Sequence, residues 1–212
     1  MRGVPQIIRK LPALWVTGVL AFLFTVPLLL NGGLGLLRGV GFWHAGNGEI
    51  APFFTPQVQH WSHYLGQWGV SYGIDPNLLA TIMQIESCGH PTVSSPAGAQ
   101  GLFQVMPFHF APGEDMLSPE VNVLRSALFI HECKRYAGED VGLILACYNG
   151  GPSVTRRPFA NWPAETQRYF TWGTGIYQDA VQGQQQSDTL DQWLAAGGNN
   201  LCNRASVALQ QN

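Results

Sequence analysis

"DPNLLATIMQIESCGHP", residues 75–91, carries a carboxylate where a folding argument would put hydrocarbon. Asp75 followed by Pro76 is a helix start, an N-cap with proline at the first helical position. At about 100° per residue, Leu78, Leu79, Ile82, Met83 and Ile85 fall on one arc of the predicted helix. Asn77, Ala80, Thr81, Gln84 and Ser87 fall on the other. Glu86 lands inside the apolar arc, between Ile82 and Leu79. Charged residues are only 11% of the 212-residue chain, less than half the usual share, so a charge aimed at the core asks for a reason. A partly desolvated carboxyl has a raised pKa and can act as a general acid near neutral pH. The bland alternatives are a side chain that reaches water from a frayed helix end, or a buried ion pair.

Around this helix the pattern is helical almost throughout. "TPQVQHWSHYLGQWGVSYG" opens with Thr55 as cap and Pro56, and repeats Val58, Trp61, Leu65, Trp68 and Tyr72 at threes and fours. It predicts one amphipathic helix ending near Gly73. Its aromatic stripe reads as core. Residues 88–118 are rich in Gly, Pro and Ser and predict loops with at most a small hairpin. A further helix starts at Ser118-Pro119 and runs to about Tyr136. After Gly138 a shorter one stops at "YNGGP", and Trp162-Pro163 opens another. "TLDQWLAA" predicts a last short helix before a tail carrying Cys202. No strand alternation of any length occurs, so the fold class is mainly α with little or no sheet.

The N-terminus has its own character. "LPALWVTGVLAFLFTVPLLL", residues 11–30, holds no charge and is long enough to cross a bilayer. Arg2, Arg9 and Lys10 precede it and only Arg38 follows closely. The positive-inside rule then leaves the N-terminus cytoplasmic and the rest extracytoplasmic, as a single-pass membrane protein. A signal peptide cleaved to release a secreted protein is the alternative, although the apolar run is long and no A-x-A site follows. The expected organisation is an anchor over 1–30, a Gly-rich tether over 31–54, a catalytic-type domain over 55–182, and a short helix and tail over 183–212.

Beyond residue 48, seven basic residues face thirteen acidic ones, a formal charge of −6. No basic stripe is present, and nucleic acid is excluded as an expected partner. All four cysteines (Cys88, Cys133, Cys147, Cys202) lie in this part, an even number suited to two disulfides in an oxidising compartment or, alternatively, to four buried thiols. His60-x-x-His63 lies on the first helix, but there is no HExxH and no third clustered ligand, so no metal site is expected.

What accompanies Glu86 is more specific. "QIES" is followed by "SPAGAQGLFQVMP", then "LACYNGGP", then "ETQRYF". These strings, in this order and at these intervals, resemble the soluble lytic transglycosylase (SLT) domain, which is related to goose-type lysozyme. The likeness covers roughly residues 57–180. It implies a lysozyme-like fold, no cofactor, and peptidoglycan glycan strands as substrate. Two departures stand out: Phe103 occupies a usual Met position, expected to leave the groove wall intact, and Cys147 a usual Ala position.

Residue by residue, the resemblance makes Glu86 the sole catalytic acid and base. It gives Ser87 and Gln104 hydrogen bonds to sugar, puts Gly101, Leu102 and Phe103 in the groove, and has Tyr148 and Asn149 orient the acid or touch substrate. It points Tyr169 at the glutamate. With Cys147 beside Tyr148 and Cys88 two residues past Glu86, it suggests Cys88–Cys147 and Cys133–Cys202 pairing. The implied activity is a carbon–oxygen lyase acting on a polysaccharide. A muramidase of the same fold and a catalytically silent wall-binding scaffold are the alternatives; the first needs Glu114, Asp115 or Glu165 as a second acid. His90 and His109 lie near the loops expected to line the site, and Trp162 and Trp172 read either as a sugar-stacking face or as core.

Overall fold

Helix formation around Asp75 follows the expected start signals. In the computed structural model, which describes residues 49–210, Asp75 Oδ1 accepts from Asn77 N at 2.8 Å and Oδ2 accepts from the Tyr177 hydroxyl at 2.9 Å. That side chain therefore caps the helix and ties it to a distant one. The described residues form eight α-helices: α1 (Pro56–Gln59), α2 (Ser62–Tyr72), α3 (Pro76–Glu86), α4 (Pro119–Ala137), α5 (Val141–Gly150), α6 (Ala164–Val181), α7 (Asp188–Trp193) and α8 (Asn199–Gln210). Among these residues there is no sheet, only isolated antiparallel bridges pairing Gln100 with Ser94 and with Val105.

Among the described residues, helix α3 runs through the core instead of forming one wall of it. Leu78 to Gln84 are all buried, including Ala80, Thr81 and Gln84 on the arc expected to be polar. A helix enclosed on all sides must satisfy its polar groups internally. Thr81 donates to Asn77 O at 2.7 Å, and Gln84 Oε1 accepts from the Thr55 hydroxyl at 3.0 Å. Helices α1, α2 and α6 pack against α3, and α5 lies on α6 in the same core. At Gly173 a Cβ would sit 3.1 Å from Leu145 of α5 and 3.5 Å from Ile85 of α3. The missing side chain lets α6 lie against both.

Several expectations are corrected by this packing. The single helix expected from Thr55 is split: Trp61 lies between α1 and α2 at φ −94, ψ 2, where its indole N–H reaches Gly89 O at 2.9 Å. Thr55 makes no cap hydrogen bond because its hydroxyl is committed to Gln84. The expected tether does not stop short of the core, since Ile50, Ala51 and Phe54 are buried in it. The expected tail is helical from Asn199 to Gln210 and buries Cys202 and Ala205.

The disulfides pair differently from the expected scheme. Cys88 joins Cys202, and Cys133 joins Cys147. Neighbouring helices α4 and α5 present Cys133 and Cys147 to each other, which leaves Cys88 free to receive the C-terminal helix. Among the described residues no helix is long and apolar enough to cross a membrane. The expected span at 11–30 lies outside the described residues, as does the tether up to residue 48.

Candidate active site

Glu86 is the last residue of α3 and is half-buried. Its neighbours on the helix have their polar groups paired; its own carboxyl is enclosed by protein with little to hold a charge. Desolvation dominates and pushes its pKa up to about 8, opposed by the Tyr169 hydroxyl and reinforced by the negative charge of Glu165. The group is therefore a neutral acid at pH 7.

Two tyrosines face it from separate helices. Tyr169 of α6 is buried, and its hydroxyl has no hydrogen-bond partner at ordinary distance among the described residues, although it lies close enough to Glu86 to stabilise the carboxylate. An orphaned buried hydroxyl is rare enough to need an explanation. Tyr148 of α5 is fully engaged: it donates to Phe103 O at 2.8 Å, so Ser126 Oγ, 2.9 Å away, is the donor to it. Burial, then the proximity of Glu86, raises both phenols far above the usual range. Both remain neutral hydroxyl groups.

The loop before α4 reaches the same place. Gly101 has φ +71, and a Cβ there would meet Asn122 Nδ2 at 2.7 Å. Asn122 itself is completely buried and holds the loop at three points: Oδ1 accepts from Phe103 N at 2.9 Å, while Nδ2 donates to Gln100 O at 2.8 Å and to Met116 O at 3.0 Å. Gln104 is forced to φ 47, and its amide donates to Val93 O at 3.0 Å and Gly101 O at 2.9 Å. A non-glycine residue in that region is uncommon and is kept there only by its surroundings.

Not every residue implied by the resemblance faces this centre. Ser87 is fully buried, and its hydroxyl donates to Leu102 O at 2.6 Å; it ties α3 to the loop instead of meeting a sugar. The side chains of Leu102 and Phe103 are also fully buried. Phe103 packs edge-on against Trp68, so the Met-to-Phe departure lies in the core. Asn149 is half-buried and accepts from the Thr166 hydroxyl at 2.8 Å.

Trp162 is buried beside Phe170 and bonds Arg157 O, so it is core; Trp172 is half-buried against the main core. His63 bonds Gln67, and among the described residues no three His, Cys, Asp or Glu side chains cluster as metal ligands. Asn122 went unmarked in the sequence, because nothing in "PEVNVL" distinguishes it from a surface position.

The model of the transglycosylase SLT domain matches residues 63–170. That span includes Glu86, the Gly101–Gln104 loop, Tyr148 and Tyr169. The chain belongs to the transglycosylase SLT domain family. Among similar proteins, the transglycosylase of Enterobacteria phage PRD1 is 34% identical over 115 residues, which cover 51% of this chain and 40% of the phage protein. The endo-type membrane-bound lytic murein transglycosylase A of Klebsiella pneumoniae is 38% identical over 61 residues, 26% of this chain and 30% of that one. The chain thus spans well under half the length of these curated relatives. An inactive mutant of the lytic transglycosylase Slt from Pseudomonas aeruginosa aligns over 57% of this chain and 24% of its own, at 20% identity and a TM-score of 0.47.

Proposed function

We propose that this protein is a peptidoglycan lytic transglycosylase in which Glu86 serves first as acid and then as base. The observation that carries the reading is a neutral carboxyl, held up to about 8 by burial, facing the uncommitted hydroxyl of Tyr169. A group protonated at neutral pH can deliver its proton to a leaving glycosidic oxygen.

In the proposed reaction Glu86 protonates the oxygen leaving C1 of N-acetylmuramic acid, and the bond to N-acetylglucosamine breaks. The neighbouring N-acetyl group supports the oxocarbenium-like centre, as in glycosidases without a second carboxylate. Glu86, now ionised and stabilised by Tyr169, takes the proton of the same sugar's C6 hydroxyl. That oxygen closes on C1 to give the 1,6-anhydro ring, and no water is consumed. Gln104 and Asn149 are the side chains proposed to meet the sugar, with Gly101 keeping the loop backbone close. Tyr148 holds that loop through Phe103 O, and no cofactor takes part.

Hydrolysis is the competing outcome, and one observation bears on it. Glu114 is bound by the Arg125 guanidinium, Nε to Oε2 at 2.7 Å, and Asp115 accepts from Leu117 N at 3.0 Å. Glu165 is exposed and its charge reaches Glu86. It is the side chain that a muramidase reading would enlist. Two disulfides in the described residues support an oxidising, extracytoplasmic setting, and the apolar segment at 11–30 is proposed as the membrane attachment.

The deciding experiment is mass spectrometry of muropeptides released from purified peptidoglycan by the full chain. Fragments one water lighter than reducing sugars are expected. Reducing ends would assign a hydrolase and turn attention to Glu165. Wall binding without any fragments would leave a scaffold.

A further inference from the structure

From Tyr148 a row of aromatic rings leads outward to the surface, and the reaction just described leaves it unused. The Tyr148 ring lies 5.5 Å from Phe129, Phe129 lies 4.4 Å from His109, and His109 lies 4.5 Å from Phe108. Burial falls along the row: Tyr148 is buried, Phe129 and His109 are half-buried, and Phe108 is 76% exposed. Among the described residues no other Phe, Tyr or Trp is so exposed. Three separate elements supply the rings (α5, α4 and the 3-10 turn Pro107–His109 that follows Gln104).

The outer pair is held in place. Phe110 N bonds Pro107 O at 3.1 Å and His109 N bonds Met106 O at 3.0 Å, closing the turn that bears Phe108. Phe110 then packs on the core. A lone exposed phenyl means little. This one ends a row of rings that begins at a phenol beside Glu86.

We propose that Phe108 and His109 form an outlying carbohydrate subsite that stacks on the apolar face of one N-acetylhexosamine ring of the glycan strand held at Glu86. The proposal rests on the peptidoglycan-cleaving reading. A sugar suits the patch better than the peptide stem or a lipid. Burial, opposed by the charge of Glu132, lowers the pKa of the His109 imidazole and disfavours its cation, so the pair offers no positive charge to draw the acidic peptide stem. Two rings are too small an area for a lipid surface, while an imidazole beside a phenyl offers both a stacking face and a hydrogen bond to an N-acetyl group.

The test uses the full chain carrying Glu86→Gln, so that strands bind without being cut, and glycan strands stripped of peptide by an amidase. Binding is measured by calorimetry with and without Phe108→Ala and Phe108→Trp. The expected result is a Kd about three- to tenfold weaker for Phe108→Ala, restored by Phe108→Trp, with melting temperature unchanged because the side chain is exposed. Equal binding by the Phe108→Ala chain, or a Trp that fails to restore affinity, overturns the subsite. If those outcomes occur while the native chain still releases anhydro-muropeptides, the subsite alone falls; if no variant binds strands and none are cleaved, the functional reading falls with it.

Discussion

Tyr169 and Glu86 meet across two helices, the tyrosine from the first half of α6 and the glutamate from the end of α3, with the phenol buried and otherwise unpartnered among the described residues. The hydroxyl favours the ionised form of Glu86, against the stronger effect of burial. Tyr169→Phe removes that support while keeping the ring. Turnover should fall roughly ten- to hundredfold, the worth of one hydrogen bond to a charged group. The alkaline limb of the pH–rate profile should move upward at the same time, because Glu86 becomes harder to ionise. A rate loss with an unmoved limb would show that Tyr169 only shapes the fold.

Glu86 also makes a claim about stability. Its folded pKa of about 8 lies above the ordinary 4.5, so the folded state binds the proton more tightly than the unfolded one. Stability is then fully present below about 4.5 and declines as pH rises toward 8, by at most about 1.4 kcal/mol per pH unit. Glu86→Gln should abolish cleavage, a loss of at least about 100-fold, and remove this decline. Denaturant titrations of both chains across pH 5–8 check it. A native chain whose stability is flat over that window would mean Glu86 is solvated and ordinary.

How much of this was visible in the sequence depends on the range of the interaction involved. The start of α3, the inward Glu86, and the ends of α4, α5 and α6 follow from caps and periodicity, which act within a few residues. Ser87, Leu102 and Phe103 turned inward because α3 is enclosed on every side, and no local pattern reports what covers a helix. Disulfide partners depend on which helices become neighbours, so Cys147 went to Cys133. The spacing of Cys202, Ala205 and Leu209 did carry a helical signal for α8, obscured by the polar residues around it.

The two disulfides should differ in what their loss does. Cys88–Cys202 closes a separation of 114 residues and Cys133–Cys147 one of 14. Chain entropy alone makes the first worth about 5 kcal/mol and the second about 3. Cys88 also stands two residues past Glu86, and Gln84 bonds both sulfurs of its bridge, Sγ of Cys88 at 3.1 Å and of Cys202 at 3.5 Å. Replacing Cys88 and Cys202 by alanine should therefore lower both the melting temperature and kcat, while Cys133→Ala with Cys147→Ala lowers chiefly the melting temperature. Equal loss of kcat in the two pairs would separate the C-terminal helix from the site.

Asn122 offers the sharpest test of how the loop is held. It is wholly buried and satisfies Phe103 N, Gln100 O and Met116 O, and its amide fills the space beside Gly101 that a Cβ would need. Asn122→Ala leaves Phe103 N and Met116 O without that partner, at about 1–3 kcal/mol each before water enters, while Gln100 O keeps its bond from Val105 N at 3.0 Å. A destabilisation of several kcal/mol is expected in urea titrations, with kcat falling because Gln104 loses its strained position. Gly101→Ala presses on the same side chain at 2.7 Å and should weaken the same loop. The two changes share one partner, so the double variant should be less damaged than the sum of the single ones; strict additivity would mean that Gly101 and Asn122 hold the loop independently.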